Sequence, residues 1–88
     1  MKKTVIITGG NKGIGLHISK VFADDGYAVF VGARDDTKEL QELRGHVTFV
    51  QTNVKSEKDH QKLVKTALEK TGRLDTYINN AGFSAWRS

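Results

Sequence analysis

The 88-residue chain is long enough for one small domain and too short for two. Its 38% hydrophobic and 27% charged residues are an ordinary globular mix, which excludes a fibrous or disordered chain. The absence of cysteine excludes a disulfide framework, a thiolate zinc site and a cysteine nucleophile, and a net charge of +4 fits an anionic small ligand as well as nucleic acid or a membrane surface.

The start, Met1 to Thr8, has the basic head of a secretory leader, but its apolar run is short and meets Gly9-Gly10 at once. No stretch approaches the roughly 20 apolar residues of a membrane span, so a soluble, cytoplasmic chain without membrane contact is expected.

Thr4 to Thr8 reads as a short, β-branched, buried strand. Ile14, Ile18, Val21 and Phe22 then recur at helical spacing, and Gly26 supplies a left-handed stop. Tyr27 to Val31 is a second strand, ended by Gly32-Ala33-Arg34-Asp35. Asp36 with Glu39 makes a capping-box start for a short helix carrying Leu40 and Leu43, closed by Gly45. His46 to Val50 is a third strand. Ser56 with Asp59 caps a longer helix whose inner face is Leu63, Val64, Ala67 and Leu68, with Gly72 as its stop. Lys55, Lys58, Lys62 and Lys65 alternate with Glu57, Asp59 and Glu69, the pattern of a solvated face rather than a nucleic-acid footprint. Leu74 to Ile78 is a fourth strand, running into Asn79-Asn80-Ala81-Gly82.

Strands alternating with helices imply a parallel sheet, right-handed crossovers and helices on both faces. None of the strands alternates cleanly between apolar and polar residues, as expected when both faces of a sheet are covered. A single domain is expected, with a doubly wound α/β sheet in the strand order 3-2-1-4.

The first strand leads directly into Thr8-Gly9-Gly10-Asn11-Lys12-Gly13-Ile14-Gly15. One glycine would suffice for a tight strand-to-helix turn. Several together suit a pyrophosphate: Gly9 for the reversal, Gly13 for close approach of the backbone, and Gly15 for tight seating of the helix. The N–H groups at the helix start would face the phosphates. The nucleotide-triphosphatase loop needs a Gly-Lys-Ser/Thr step that is absent here.

Thr8-Gly9-x-x-x-Gly13-Ile14-Gly15 resembles the TGxxxGxG motif of the short-chain dehydrogenase/reductase family, and Asn79-Asn80-Ala81-Gly82 resembles that family's N-N-A-G motif. The resemblance runs from Thr4 to Gly82. It implies a Rossmann-like fold and a nicotinamide dinucleotide held along Gly9, Asn11, Lys12, Gly13, Ile14 and Gly15. Ala33 stands where NAD-preferring members carry an aspartate, and Arg34 resembles the basic residue of NADP-preferring ones, with Lys12 as a second charge. NADP(H) is therefore expected over NAD(H). Asn53 replaces the usual aspartate before Val54, and its side-chain oxygen can still accept from the adenine amino group. Asn80 would tie strand ends together, while Ala81 and Gly82 leave room for the ribose.

The family's catalytic Tyr-x-x-x-Lys pair, serine and further asparagine lie downstream of N-N-A-G. Tyr27 and Tyr77 are the only tyrosines, and Val31 and Ala81 stand four residues after them. The resemblance thus implies the cofactor-binding N-terminal part of an oxidoreductase acting on a carbonyl or alcohol, truncated before its catalytic residues. A non-catalytic dinucleotide-binding module or regulator is the alternative. A homo-oligomer formed through the exposed sheet edge is expected. His17, His46 and His60 fall in separate elements without ligand spacing, so no metal site is expected, and no nucleic-acid-binding motif is present.

Overall fold

The computed structural model describes residues 2–43 and 45–80. Ala81, Gly82 and Trp86 lie outside the described residues. The elements run β1 (Thr4–Thr8), α1 (Gly13–Asp24), β2 (Ala28–Ala33), α2 (Lys38–Gln41), β3 (Val47–Gln51), α3 (Glu57–Thr71) and β4 (Thr76–Asn79). The strands are parallel and lie side by side in the order β3-β2-β1-β4. This is the expected doubly wound, Rossmann-like α/β sheet.

β1 is buried along its whole length, and its side chains alternate between two apolar layers. Val5 and Ile7 join Val29, Val31 and Leu40 beneath α1, where Ile18, Phe22 and Ala23 close the layer. Ile6 joins Phe30, Leu63 and Ala67 beneath α3. The period-two alternation of a strand thus feeds two cores, and this is why the run Val5-Ile6-Ile7 carries no polar residue.

Strand register sets where the loops emerge. Thr8 pairs with Gly32 on one side and Asn79 on the other, and Ala33 pairs with Gln51. The carboxyl ends of all four strands therefore finish level, on one edge of the sheet.

The ends of the elements differ from expectation for identifiable reasons. β2 continues through Gly32 and Ala33 because both still pair with β3. A Cβ on Gly32 would sit 2.5 Å from Leu63 Cδ2, so glycine is what lets α3 lie close. Tyr27 falls outside β2, its N–H bonded to the Phe22 carbonyl and its ring edge-on to Phe22 at 4.8 Å. Asp36 does not cap α2. Thr37 does, its Oγ1 accepting from the Leu40 N–H at 3.2 Å while donating to the Asn11 carbonyl at 2.5 Å. That tertiary bond selects Thr37 over its neighbour. α2 is also a single turn, ending at Gln41 before Leu43 and Gly45.

Ser56 caps α3 as expected, accepting from the Asp59 N–H, and Gly72 ends it in the left-handed conformation at φ 80°. Leu63 and Ala67 are its buried residues, whereas Leu68 is 43% exposed. α1 is turned further from expectation: Gly15 and Ser19 face the sheet, and Ile14 and Val21 point outward. The inward face of this helix is shared by its two small residues, which permit close approach, and by Ile18 and Phe22, which leaves Ile14 and Val21 outside.

β4 starts at Thr76 because Asp75 replaces a strand residue. Its carboxylate accepts the Thr4 N–H at 2.8 Å while its own N–H donates to the Thr4 carbonyl at 3.0 Å. The Arg73 guanidinium, hydrogen-bonded to the same carboxylate, and the Thr4 N–H hold the Asp75 carboxyl below its ordinary 3.8. A lowered folded-state pKa gives stabilisation that is present above 3.8 and is lost as pH falls from there. Asp75→Asn should therefore flatten the dependence of stability on pH below 3.8, measured by urea denaturation across that range.

Candidate functional site

At the level edge of the sheet, β1 hands over to the glycine turn. Gly9 reverses the chain at φ 70°, and its N–H donates to the Gly32 carbonyl at 2.8 Å. The Gly9 carbonyl then lies under α1. A Cβ on Gly15 would stand 2.1 Å from that oxygen and 2.6 Å from Asn80 Nδ2. Only glycine fits. Asn80 Nδ2 donates to the same carbonyl at 3.3 Å, and Thr8 Oγ1 donates to Asn79 Oδ1 at 2.9 Å, so both asparagines at the end of β4 are tied to the turn.

Gly10, given no role by its sequence position, is a packing glycine. A Cβ there would meet Ser19 Oγ at 2.6 Å, and the Ser19 hydroxyl bonds back to the carbonyls of Gly10 and Gly15. A serine on the inner face of a helix facing a glycine run is the signal that could have shown this. Gly13, at φ 60°, has nothing within 4 Å of where a Cβ would stand. Its side of the turn is open.

The helix starts differ in a way that bears on binding. α2 and α3 are capped by Thr37 and Ser56 and carry Glu39, or Glu57 and Asp59, in their first turns. α1 begins at Gly13, after Lys12, with no side-chain cap and no acidic residue in its first turn. Its first internal bond runs from the Leu16 N–H to the Lys12 carbonyl, so the N–H groups of Gly13, Ile14 and Gly15 have no intrahelical acceptor. An uncapped helix start of this kind concentrates partial positive charge and free donors, which suits an anion.

Beside it lies a cleft of about 220 Å³, lined by Gly9, Asn11 and Lys12 on one side, Ala33, Arg34 and Asp35 on another, and Val54 on a third. A further cleft of about 480 Å³ shares Arg34 and Asp35 and extends to Asn53, Asp59 and Lys62. Lys12 and Arg34 are both exposed there, and Ala33 brings no carboxylate. Asp36 lines neither cleft; it borders a separate one together with Leu40 and Val47. A wider groove, about 650 Å³, lies elsewhere, on the outer face of α3 around Val64 and Leu68.

The structure thus brings Gly9, Asn11, Lys12, Gly13, Ile14, Gly15, Arg34, Asn53, Val54 and Asn80 to one edge of the sheet, though not in equivalent roles. Asn11 is only 5% exposed and serves as a tie, Nδ2 donating to the Asp35 carbonyl at 2.9 Å while its own carbonyl accepts from Thr37. It joins the glycine turn to the loop that carries Arg34. Asn53 is exposed, but its Oδ1 already accepts the Lys55 N–H at 3.0 Å, and its N–H donates to Asp59 Oδ2 at 2.7 Å. One lone pair of Oδ1 and the Nδ2 hydrogens remain available.

A level edge of parallel strands, a glycine turn and an uncapped helix start together define the dinucleotide-binding type of α/β fold. The chain matches the family model described as short chain dehydrogenase over residues 3–88, and it belongs to that family. It is 40% identical over 86 residues to a probable 2,4-dienoyl-CoA reductase of Bacillus subtilis (strain 168), covering 91% of this chain and 34% of that protein. It is 42% identical over 84 residues to an L-fucose dehydrogenase of Mus musculus, covering 92% of this chain and 30% of that protein. The solved structure of ElxO with NADP bound superposes with a TM-score of 0.79 at 34% identity, covering 91% of this chain and 35% of that one. The chain spans about a third of the length of the curated relatives it matches. No helix among the described residues is long and apolar enough to cross a membrane.

The two motif glycines differ in what replacement would cost. Gly13→Ala meets open space but a left-handed backbone, a penalty of about 1–2 kcal/mol. Gly15→Ala drives a methyl into a backbone carbonyl and should cost about 3 kcal/mol or more. Urea denaturation of the two variants should give losses in that order.

Proposed function

We propose that this chain is the NADP(H)-binding N-terminal part of a short-chain oxidoreductase acting on a carbonyl or alcohol substrate. The observation that carries this reading is the uncapped, glycine-lined start of α1 at the level strand edge, opening beside Lys12 and Arg34. The solved structure of ElxO, similar to this chain, carries NADP, which supports the choice of cofactor class.

The residues present fit such a group. The N–H groups of Gly13, Ile14 and Gly15 would receive the pyrophosphate, with the open side of Gly13 admitting it to the backbone. Ala33 places no carboxylate at the end of β2, and Arg34 with Lys12 would hold a 2′-phosphate in the cleft that Asp35 also lines. Asn53 and Val54 would border the adenine. Asn80 holds the Gly9 carbonyl and so fixes the turn against β4. The bound nicotinamide would supply or accept hydride. Proton transfer would fall to residues outside this chain, since neither Tyr27 nor Tyr77 has a lysine four positions on.

Calorimetric titration of the chain with NADPH and with NADH tests the reading. NADPH should bind more tightly, and Arg34→Ala should weaken NADPH binding by about 10- to 100-fold while changing NADH little, as expected for loss of a charge-assisted pair worth about 1.5–3 kcal/mol. Equal binding of both, or no effect of Arg34→Ala, would contradict the cofactor assignment.

A further inference from the structure

Between β3 and α3, the peptide group joining Val54 to Lys55 is held at both ends. Its N–H donates to Asn53 Oδ1 at 3.0 Å. Its C=O accepts from His60 Nε2 at 2.8 Å. A carbonyl can only accept, so His60 carries its proton on Nε2, and Nδ1 faces the hydroxyl of Tyr77 as an acceptor. Burial pushes the Tyr77 phenol above its ordinary 10.0, which keeps that proton in place to donate. A relay of fixed donors and acceptors therefore runs from β4 to the cleft: Tyr77 sets the tautomer of His60, His60 sets the plane of one peptide, and that peptide sets the side chain of Asn53.

The last link has a chemical consequence. A free asparagine amide can turn over and exchange its oxygen for its nitrogen. In this chain the Lys55 N–H requires the oxygen, so the amide presents one lone pair and a donor in a fixed order. Adenine offers an amino donor beside a ring-nitrogen acceptor. Hypoxanthine reverses both. We infer that His60 is a positioning residue for base selection, acting through the Val54–Lys55 peptide to orient Asn53 toward adenine. The inference rests on the dinucleotide reading and adds to it the residue that fixes the base.

The test compares NADPH with its hypoxanthine analogue, deamino-NADPH, by calorimetry on the unsubstituted chain, His60→Ala and Tyr77→Phe. The unsubstituted chain should prefer NADPH by about tenfold. His60→Ala should bring the two ligands within about twofold of each other, mainly by weakening NADPH. Tyr77→Phe keeps the ring in place, removes only the hydroxyl and should give an intermediate ratio. A purely structural role would weaken both ligands in proportion and leave the ratio intact, which overturns the inference. Urea denaturation of each variant identifies any loss that comes from unfolding, and Tyr77→Phe then decides the matter. Equal binding of the two ligands by the unsubstituted chain also overturns the inference while leaving the dinucleotide reading in place. Failure of that chain to bind either ligand overturns both.

Discussion

Everything at the carboxyl edge of this sheet depends on how closely α1 approaches the end of β1. The Gly9 carbonyl lies where the first carbon of any side chain at position 15 would have to be. This contact removes the freedom to place a side chain there. In return it seats the start of the helix directly over the strand end, where the first N–H groups have no intrahelical acceptor. Ser19 extends the same close approach one turn further, and Gly10 makes room for it. The four glycines of the turn are thus divided between conformation, at Gly9 and Gly13, and clearance, at Gly10 and Gly15.

Neighbouring loops are fastened to this seat by side-chain bonds rather than by further secondary structure. Asn11 and Thr37 tie the turn to the loop after β2, which brings Arg34 beside Lys12. Asn79 and Asn80 tie the end of β4 to Thr8 and Gly9. The loop after β3 is closed on itself by Asp59, Ser56 and the Asn53 side chain, and is anchored from behind by His60. Polar residues near these strand ends therefore divide in two. Those with bonds to other loops hold the edge together, and the Lys12 and Arg34 side chains are left exposed.

Much of this was legible in the sequence because the constraints are local. The parallel sheet and its order follow from strands alternating with helices, and the turn follows from glycines at fixed offsets from a β-branched run. Ser56 and Gly72 sit where their own chemistry places them at the ends of α3. What escaped a reading of the sequence involves partners distant along the chain. Thr37 caps α2 in place of Asp36 because it also reaches Asn11, 26 residues away. α1 turns Ile14 and Val21 outward because Gly15 and Ser19 must face the strand, a demand that an apolar periodicity cannot register. The bond between His60 and Tyr77 joins residues 17 apart, each unremarkable in its own element.

The central claim is that the uncapped start of α1, with its glycine turn, is where the dinucleotide phosphates sit. Amide chemical shifts of the isotope-labelled chain, followed by nuclear magnetic resonance during addition of NADPH, test it most directly. The largest changes should fall on Gly13, Ile14 and Gly15, with a second group at Arg34. Changes confined to the outer groove of α3 around Val64 and Leu68, with the glycine turn unmoved, would contradict it.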